Sequence, residues 1–383
     1  MTIPITSKLP GVGTTIFTIV SQRARELGAI NLAQGFPDYD APARLKDLVA
    51  FHVAAGHNQY APMAGVPALR EQIALKFAAQ HGRLLDPDDE VTVTVGATEG
   101  LFSSILALVN AGDEVIIFDP AYDSYAPAVM LAGGRPVHLP LEPPGFRVDW
   151  QRVREAITPK TRLVIVNNPH NPTGTLLDST ELDLLAEVLR GTRVLILADE
   201  VYEHMVFDGR RHVSVCAHPE LADRSIGVYS FGKTMHATGW RVGYCIAPPP
   251  LTRELRRVHQ FNTFSVVTPL QLALADFLKE VPGHCAGLGD FYEAKRNRFL
   301  ELLRGSSFSW TPTEGTYFQL LNFSAVSDRS DAEFAERLIR GAGVAAIPLS
   351  PFYAMPIKVP MLRFCFAKND STLEEAAERL CRL

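Results

Sequence analysis

Short apolar runs that end abruptly in polar residues alternate with stretches of helical period from about Leu45 to Ala247. VTVTV (91–95), EVIIF (114–118), RLVIVN (162–167), VLILAD (194–199) and SIGVYSF (225–231) read as strands. LVAFHVAA (48–55), FSSILALV (102–109) and LDLLAEVL (182–189) carry the spacing of buried helix faces. Strands that are apolar on both faces belong to a parallel sheet covered by helices on each side. The triplet Pro248–Pro250 ends this pattern, and three helical stretches follow at 251–260, 270–281 and 287–303. A strand-rich part comes next, with TYFQLLNF (316–323), VAAIP (344–348) and MLRFCF (361–366), closed by a helix over 372–383. The expectation is an α/β protein in two parts. A large domain over 41–282 holds a mostly parallel sheet, and a smaller α+β domain is built from 283–383 together with the segment 1–40.

The densest chemistry lies in SFGKTMHATGWRVGY, where Lys233 is preceded by Ser230 and followed eight positions later by Arg241. A lysine in an apolar region, here with Gly227–Phe231 before it and Val242–Ala247 after it, has its amine pKa lowered by desolvation. The neutral amine can then attack an aldehyde to form a Schiff base. A hydroxyl and a fixed guanidinium beside it suit a phosphate monoester. Aldehyde and phosphate together describe pyridoxal phosphate. The same residues, GVYSFGKT over 227–234, also satisfy the P-loop pattern of nucleotide triphosphatases. That alternative is poor, because Val228–Phe231 are strand formers where a P-loop needs an open, amide-lined turn.

A second constellation stands at the ends of two apolar runs, in NNPHNPTG (167–174) and ADEVYEH (198–204). In open α/β sheets the ligand crevice lies beyond the carboxyl ends of the strands. Asn171, Asp199 and Tyr202 are therefore expected to converge there. A carboxylate at that place can keep a pyridine nitrogen protonated, and Asn171 and Tyr202 can donate to the ring's phenolic oxygen. An aspartate at a strand end also serves as an ordinary helix cap, and Asn-Pro is an ordinary turn pair.

These segments, with INLAQGFPD (30–38), NQYAPMAGVPALRE (58–71), TVGATEGL (94–101), DPAYDSY (119–125), FNTFSVVTPLQLALADFL (261–278), EGTYFQLLNFS (314–324) and MLRFCFAK (361–368), resemble a class I/II, fold type I pyridoxal phosphate aminotransferase. The likeness covers nearly the whole chain and is nearest to the methionine and kynurenine aminotransferase group. It implies that Lys233 carries the cofactor, that Asp199 faces the pyridine nitrogen, and that Asn171 and Tyr202 face the phenolic oxygen. The phosphate would be held by Ser230, Arg241, the amides of Ala97 and Thr98 at a helix start, and Tyr60 reaching across from a second subunit. Tyr122 would lie on the ring face. Arg363 would take the substrate carboxylate as a bidentate fork, with the Gly35 backbone closing over it. Phe17 and Phe264 would shape an apolar side-chain pocket, although both are equally plain core residues, and Arg363 alone would read as a surface partner for a glutamate. The implied reaction is ping-pong transfer of an amino group from an L-amino acid to a 2-oxo acid by a homodimer with shared sites. A C–S β-lyase on the same site is the nearest alternative. A non-catalytic regulator built on the same domain is a more distant one, expected to need an added DNA-binding segment.

Composition narrows the remaining classes. The chain has 383 residues, 47% hydrophobic and 21% charged, with a net charge of −5, which leaves no polybasic footprint for nucleic acid or an anionic membrane. No run approaches the roughly 20 apolar residues of a membrane span, and the start of the chain lacks a basic, apolar leader, so a cytoplasmic protein is expected. Five cysteines without CxxC pairing read as buried thiols of a reducing compartment. Eleven histidines without ligand spacing give no metal site.

Overall fold

The structure, a computed structural model, describes residue 3 and residues 5–383. Strand β1 (Ile30–Asn31) pairs in parallel with a segment far along the chain, described below. The next seven strands form one sheet: β2 (Val91–Thr94), β3 (Glu114–Asp119), β4 (Arg135–Pro140), β5 (Thr161–Asn167), β6 (Leu195–Asp199), β7 (Ser225–Ser230) and β8 (Gly243–Ile246), in the order β2-β8-β7-β6-β5-β3-β4. Every pairing from β7 to β4 is parallel, and β8 runs antiparallel to both its neighbours. The sheet is therefore mostly parallel, as the apolar runs predicted.

The two-sided burial of the strands is explicit. On one face Ile116, Phe118, Val164, Val166, Ile196 and Ala198 pack against the helix Ser179–Leu189. On the other, Val115, Ile117, Leu163, Ile165, Leu197 and Val228 pack against the helix Gly96–Leu108. The period of two along a strand sends successive side chains to opposite faces, so a continuous apolar run fills both layers. Each such buried Val, Ile, Leu or Phe contributes about 1.5–3 kcal/mol relative to exposure.

The C-terminal part holds β9 (Phe318–Asn322), β10 (Val344–Ala345), β11 (Ile347–Pro348) and β12 (Met361–Cys365). Strands β11, β12 and β9 make an antiparallel sheet in that order, while β10 is the partner of β1. Leu321, Phe323, Phe364, Leu373 and Ala377 form the core beneath them. The pairing of β1 with β10 ties the start of the chain to its end, and places the segment after Asn31 over the open edge of the large sheet's crevice.

Among the described residues no helix is long and apolar enough to cross a membrane. The cysteine expectation needs one correction. Cys216, Cys245, Cys285 and Cys365 are buried, but Cys381 is exposed, because it sits at the C-cap of the helix Asp370–Leu380, beyond the helix's buried face.

Candidate active site

Three adjacent parallel strands, β5, β6 and β7, end on Asn167, Asp199 and Ser230, and the helix after β2 starts at Gly96 on the same side of the sheet. Around these ends lies a cavity of about 370 Å³. Phe17, Gly35, Ala97, Thr98, Tyr122, Asn171, Asp199, Tyr202, Ser230, Lys233, Arg241 and Arg363 all line it. The expected residues thus come from eight separate stretches of chain and meet in one place.

Lys233 sits on the four-residue helix Phe231–Thr234 that directly follows β7. Its Nζ donates to the Tyr317 hydroxyl at 2.7 Å and to the Gly35 carbonyl at 3.3 Å. Burial lowers its pKa to about 8, so a substantial neutral fraction exists near neutrality. The P-loop alternative is not supported: Gly227–Ser230 are sheet-bonded residues inside β7, and their amides are committed to neighbouring strands.

Asp199 is 4% exposed and accepts from the Tyr125 hydroxyl at 2.6 Å and from the Val201 amide at 3.4 Å. Burial raises its pKa to about 6, opposed by these hydrogen bonds. No cation pairs with it among the described residues, so a buried carboxylate faces the cavity without a counter-charge, which suits a protonated pyridine nitrogen.

At the opposite end, the helix Gly96–Leu108 begins without any side-chain cap, leaving its first amides and the positive end of its dipole directed into the cavity. Arg241 adopts a left-handed conformation (φ 54°) that brings its guanidinium over Gly96. A Cβ on Gly96 would lie 2.6 Å from the Arg241 Nη2, and Gly96 itself has φ +70°, so only glycine fits. Arg241 donates to the Thr238 carbonyl at 3.0 Å and approaches the Thr98 hydroxyl at 3.5 Å, with no carboxylate partner among the described residues. Free amides, hydroxyls and an unpaired guanidinium make a donor set for a phosphate monoester.

Arg363 lies in β12, whose neighbours Leu362 and Phe364 face the small core. The surface-partner alternative fails, because Arg363 is 1% exposed. Its Nη1 donates to the Asn171 Oδ1 at 2.8 Å and its Nη2 to the Ala33 carbonyl at 3.0 Å, while Nε has no partner. Its guanidinium carbon stands 3.8 Å over the Phe318 ring, with Phe17 at 5.1 Å and Phe352 at 5.5 Å. Burial pulls its pKa down to about 10. A buried guanidinium held by neutral acceptors and aromatic faces is an unneutralised charge awaiting an anion. Because Asn171 spends its oxygen on Arg363, its amide NH₂ is left to donate.

Two expected residues are not brought into this cavity within one chain. Tyr60 is 83% exposed and Phe264 is 47% exposed, and their rings pack edge to face at 5.2 Å on the surface. Phe264 does not line the cavity of its own chain, since it lies in the turn after the helix Pro249–Asn262 and is exposed.

Sequence reasoning missed Tyr125, Tyr317 and Phe318. Tyr125 stands three residues after Tyr122, the spacing of one helical face at the start of the helix Tyr125–Leu131. Tyr317 and Phe318 were inside a recognised segment, but nothing in their spacing says that one touches Lys233 and the other Arg363.

A family model described as aminotransferase class I and II matches residues 28–380. The methionine aminotransferase of Escherichia coli (strain K12) is 53% identical over 377 residues, covering 98% of each chain. Kynurenine--oxoglutarate transaminase 1 of Rattus norvegicus is 33% identical over 409 residues, covering 97% of this chain and 96% of its own. The crystal structure of YbdL from Escherichia coli, identified there with a methionine aminotransferase function, superposes with a TM-score of 0.98 at 52% identity over 100% of both chains.

Proposed function

The chain belongs to the class I and II aminotransferases, a pyridoxal phosphate-dependent family of fold type I, and within it we propose that this enzyme takes methionine or another neutral or aromatic L-amino acid as donor. The amino group goes to a 2-oxo acid in two half-reactions, and the alternative of a C–S β-lyase is not favoured by the relatives. The observation that carries the assignment of roles is the buried, depressed Lys233 amine in the same cavity as the uncompensated Asp199 and Arg363.

When bound, pyridoxal phosphate supplies an aldehyde for Lys233 and a ring that stores the electron pair left by the α-proton. Ser230, Arg241, Thr98 and the amides of Ala97 and Thr98 would hold its phosphate, Asp199 would face its ring nitrogen, Asn171 and Tyr202 would face its phenolic oxygen, and Tyr122 would lie against the ring. Arg363 binds the donor carboxylate by two parallel hydrogen bonds, and the Asn171 and Ala33 oxygens keep its fork in plane. Lys233, as a neutral amine, takes and returns the α-proton, a role typically worth about 10² to 10⁴ in rate. The segment around Gly35 lines the cavity beside Arg363, at the carboxylate end. For the donor side chain the wall is apolar, with Phe17, Leu101 and Phe318, and among the described residues no third arginine beyond Arg241 and Arg363 lines the cavity to meet a distal carboxylate.

We read the active form as a homodimer. Phe51, Val53, Tyr60, Phe261, Phe264 and Val267 are all exposed, a density of large apolar side chains that favours burial against a second copy. In that assembly Tyr60 serves the partner's phosphate site and Phe264 its side-chain pocket. The division into 41–282 and 283–383 with 1–40 is supported by the β1–β10 pairing, and a cytoplasmic location fits a chain of this composition. A donor panel with one fixed 2-oxo acid tests the reading. Methionine and aromatic donors should lead, and Lys233→Ala should lose both turnover and the cofactor's visible absorbance. A panel led by aspartate, or 2-oxo acid released without matching amino transfer, would overturn it.

A further inference from the structure

The Lys233 amine has a built resting place that the roles above do not use. The Tyr317 hydroxyl donates to the Gly35 carbonyl, which leaves its oxygen lone pair as the acceptor for Lys233 Nζ at 2.7 Å. Tyr317 is fully buried, and its ring is wedged against Tyr202 at 5.1 Å, Phe318 at 4.9 Å and Tyr292 at 5.8 Å, so the hydroxyl has little freedom to leave. Gly35 is held as firmly. A Cβ there would lie 2.7 Å from the Phe318 ring, and the segment before it is pinned by the Leu32 amide on Ala345 and the Cys365 amide on the Leu32 carbonyl. Both acceptors of Lys233, Tyr317 Oη and Gly35 O, therefore belong to one rigid unit. That unit also includes the Ala33 carbonyl that holds Arg363.

We propose that the Tyr317 hydroxyl, locked onto the Gly35 carbonyl, is the docking point of the Lys233 ε-amine whenever that amine is not bonded to the cofactor, and so positions it for proton transfer. A neutral amine has two N–H bonds and one lone pair. With the two N–H bonds given to Tyr317 and Gly35, the lone pair is turned away from this wall and toward the cavity, where the donor's α-proton arrives. The proton taken there leaves an ammonium whose remaining N–H bonds stay on the same two oxygens, so no reorganisation of the wall accompanies the transfer. The same two acceptors oppose the desolvation that lowers the amine's pKa, since accepted hydrogen bonds favour the charged form. The other charged or titratable groups facing Lys233 are Asp199, Tyr202, Arg241, Arg363 and Cys365.

The inference rests on Lys233 being the cofactor lysine, and the experiment separates the two. Apoprotein of wild type, Lys233→Ala and Tyr317→Phe is mixed with pyridoxal phosphate across pH, and capture is followed at the cofactor's visible absorbance. Lys233→Ala should show no capture, and capture in that variant would refute the underlying reading rather than this one. Tyr317→Phe should capture the cofactor with its midpoint lower by roughly 1 to 2 on the pH scale, as expected for one lost hydrogen bond to a cation. In turnover it should lose about ten-fold or more in kcat with the donor KM within about two-fold, and the isotope effect on an α-deuterated donor should grow. An unchanged midpoint and unchanged kcat would overturn the proposal, as would a raised KM with kcat intact, which marks Tyr317 as only part of the donor pocket. If Tyr317→Phe does not fold, 3-fluorotyrosine at position 317 keeps the shape and weakens the acceptor. The midpoint must then fall by a smaller amount, and an unmoved midpoint refutes the assignment.

Discussion

Removing the Tyr125 hydroxyl should make Asp199 still harder to ionise, and the effect can be read in the apoprotein before any turnover is measured. The hydroxyl stands 2.6 Å from Asp199 Oδ2 in a buried hydrogen bond, and it is the principal group holding the carboxyl down against its burial. A hydrogen bond to a charged group contributes about 1.5–3 kcal/mol, which corresponds to a change of about one to two in pKa. Asp199 already sits at about 6 rather than the ordinary 3.8, so in Tyr125→Phe it should titrate at about 7 to 8. The sign of the stability effect follows from proton binding. The folded state holds this proton more tightly than the unfolded chain, so its stabilisation is fully present below about pH 4 and is lost as pH rises through the folded-state value. For wild type that loss is about 3 kcal/mol, because the carboxyl titrates at about 6 in the folded state and at 3.8 in the unfolded one, and it is complete a little above pH 6. For Tyr125→Phe it should grow by about another 1.5–3 kcal/mol and extend to about pH 8 or 9. Urea unfolding of the two apoproteins at intervals between about pH 4.5 and 9 measures the difference directly. Parallel stability curves over that range would refute the argument, because they would mean that Asp199 does not feel the hydroxyl in the folded state.

Gly96→Ala should weaken phosphate binding well beyond any effect on the fold, since the new Cβ displaces the Arg241 guanidinium from 2.6 Å away; titration with pyridoxal phosphate checks this, and wild-type affinity would contradict it. Arg363→Lys should lower kcat/KM for every donor together, because a point charge cannot replace two parallel hydrogen bonds, and a mere change in donor ranking would tell against the fork. Phe17→Ala should cost bulky apolar donors about 1–3 kcal/mol in transition-state binding and leave alanine nearly untouched. The closer Phe318 face keeps Arg363 in place, so an equal loss for all donors would show that Phe17 instead acts through the guanidinium.

Much of the site could be read in the chain because its residues stand where strands stop. Asn167, Asp199 and Ser230 end three apolar runs, and a strand that must be apolar on both faces can carry polar chemistry only at its end. Ala97 and Thr98 entered only through resemblance, and the structure places them in the first turn of the helix Gly96–Leu108. Arg363 was legible only through resemblance. Alternation in MLRFCF separates it from Leu362 and Phe364 but is silent on whether its side of the sheet meets water or a cavity.

The sequence by itself determined the alternation of layers, the lysine with its flanking phosphate donors, and the carboxylate at a strand end, because these are local patterns of period and polarity. Tertiary structure decided what no local pattern contains. Tyr125 meets Asp199 across 74 positions, Tyr317 meets Lys233 across 84, and Ala33 meets Arg363 across 330. It also decided that Tyr60 and Phe264 leave their own chain's cavity and pack on its surface. A hydroxyl or a ring becomes functional there through what folding carries into contact with it, as Tyr317 with Lys233 at 2.7 Å and Phe318 with Arg363 at 3.8 Å. The physical reason is that burial and hydrogen bonding depend on distances in space, whereas periodicity records only which way a side chain leaves its own element.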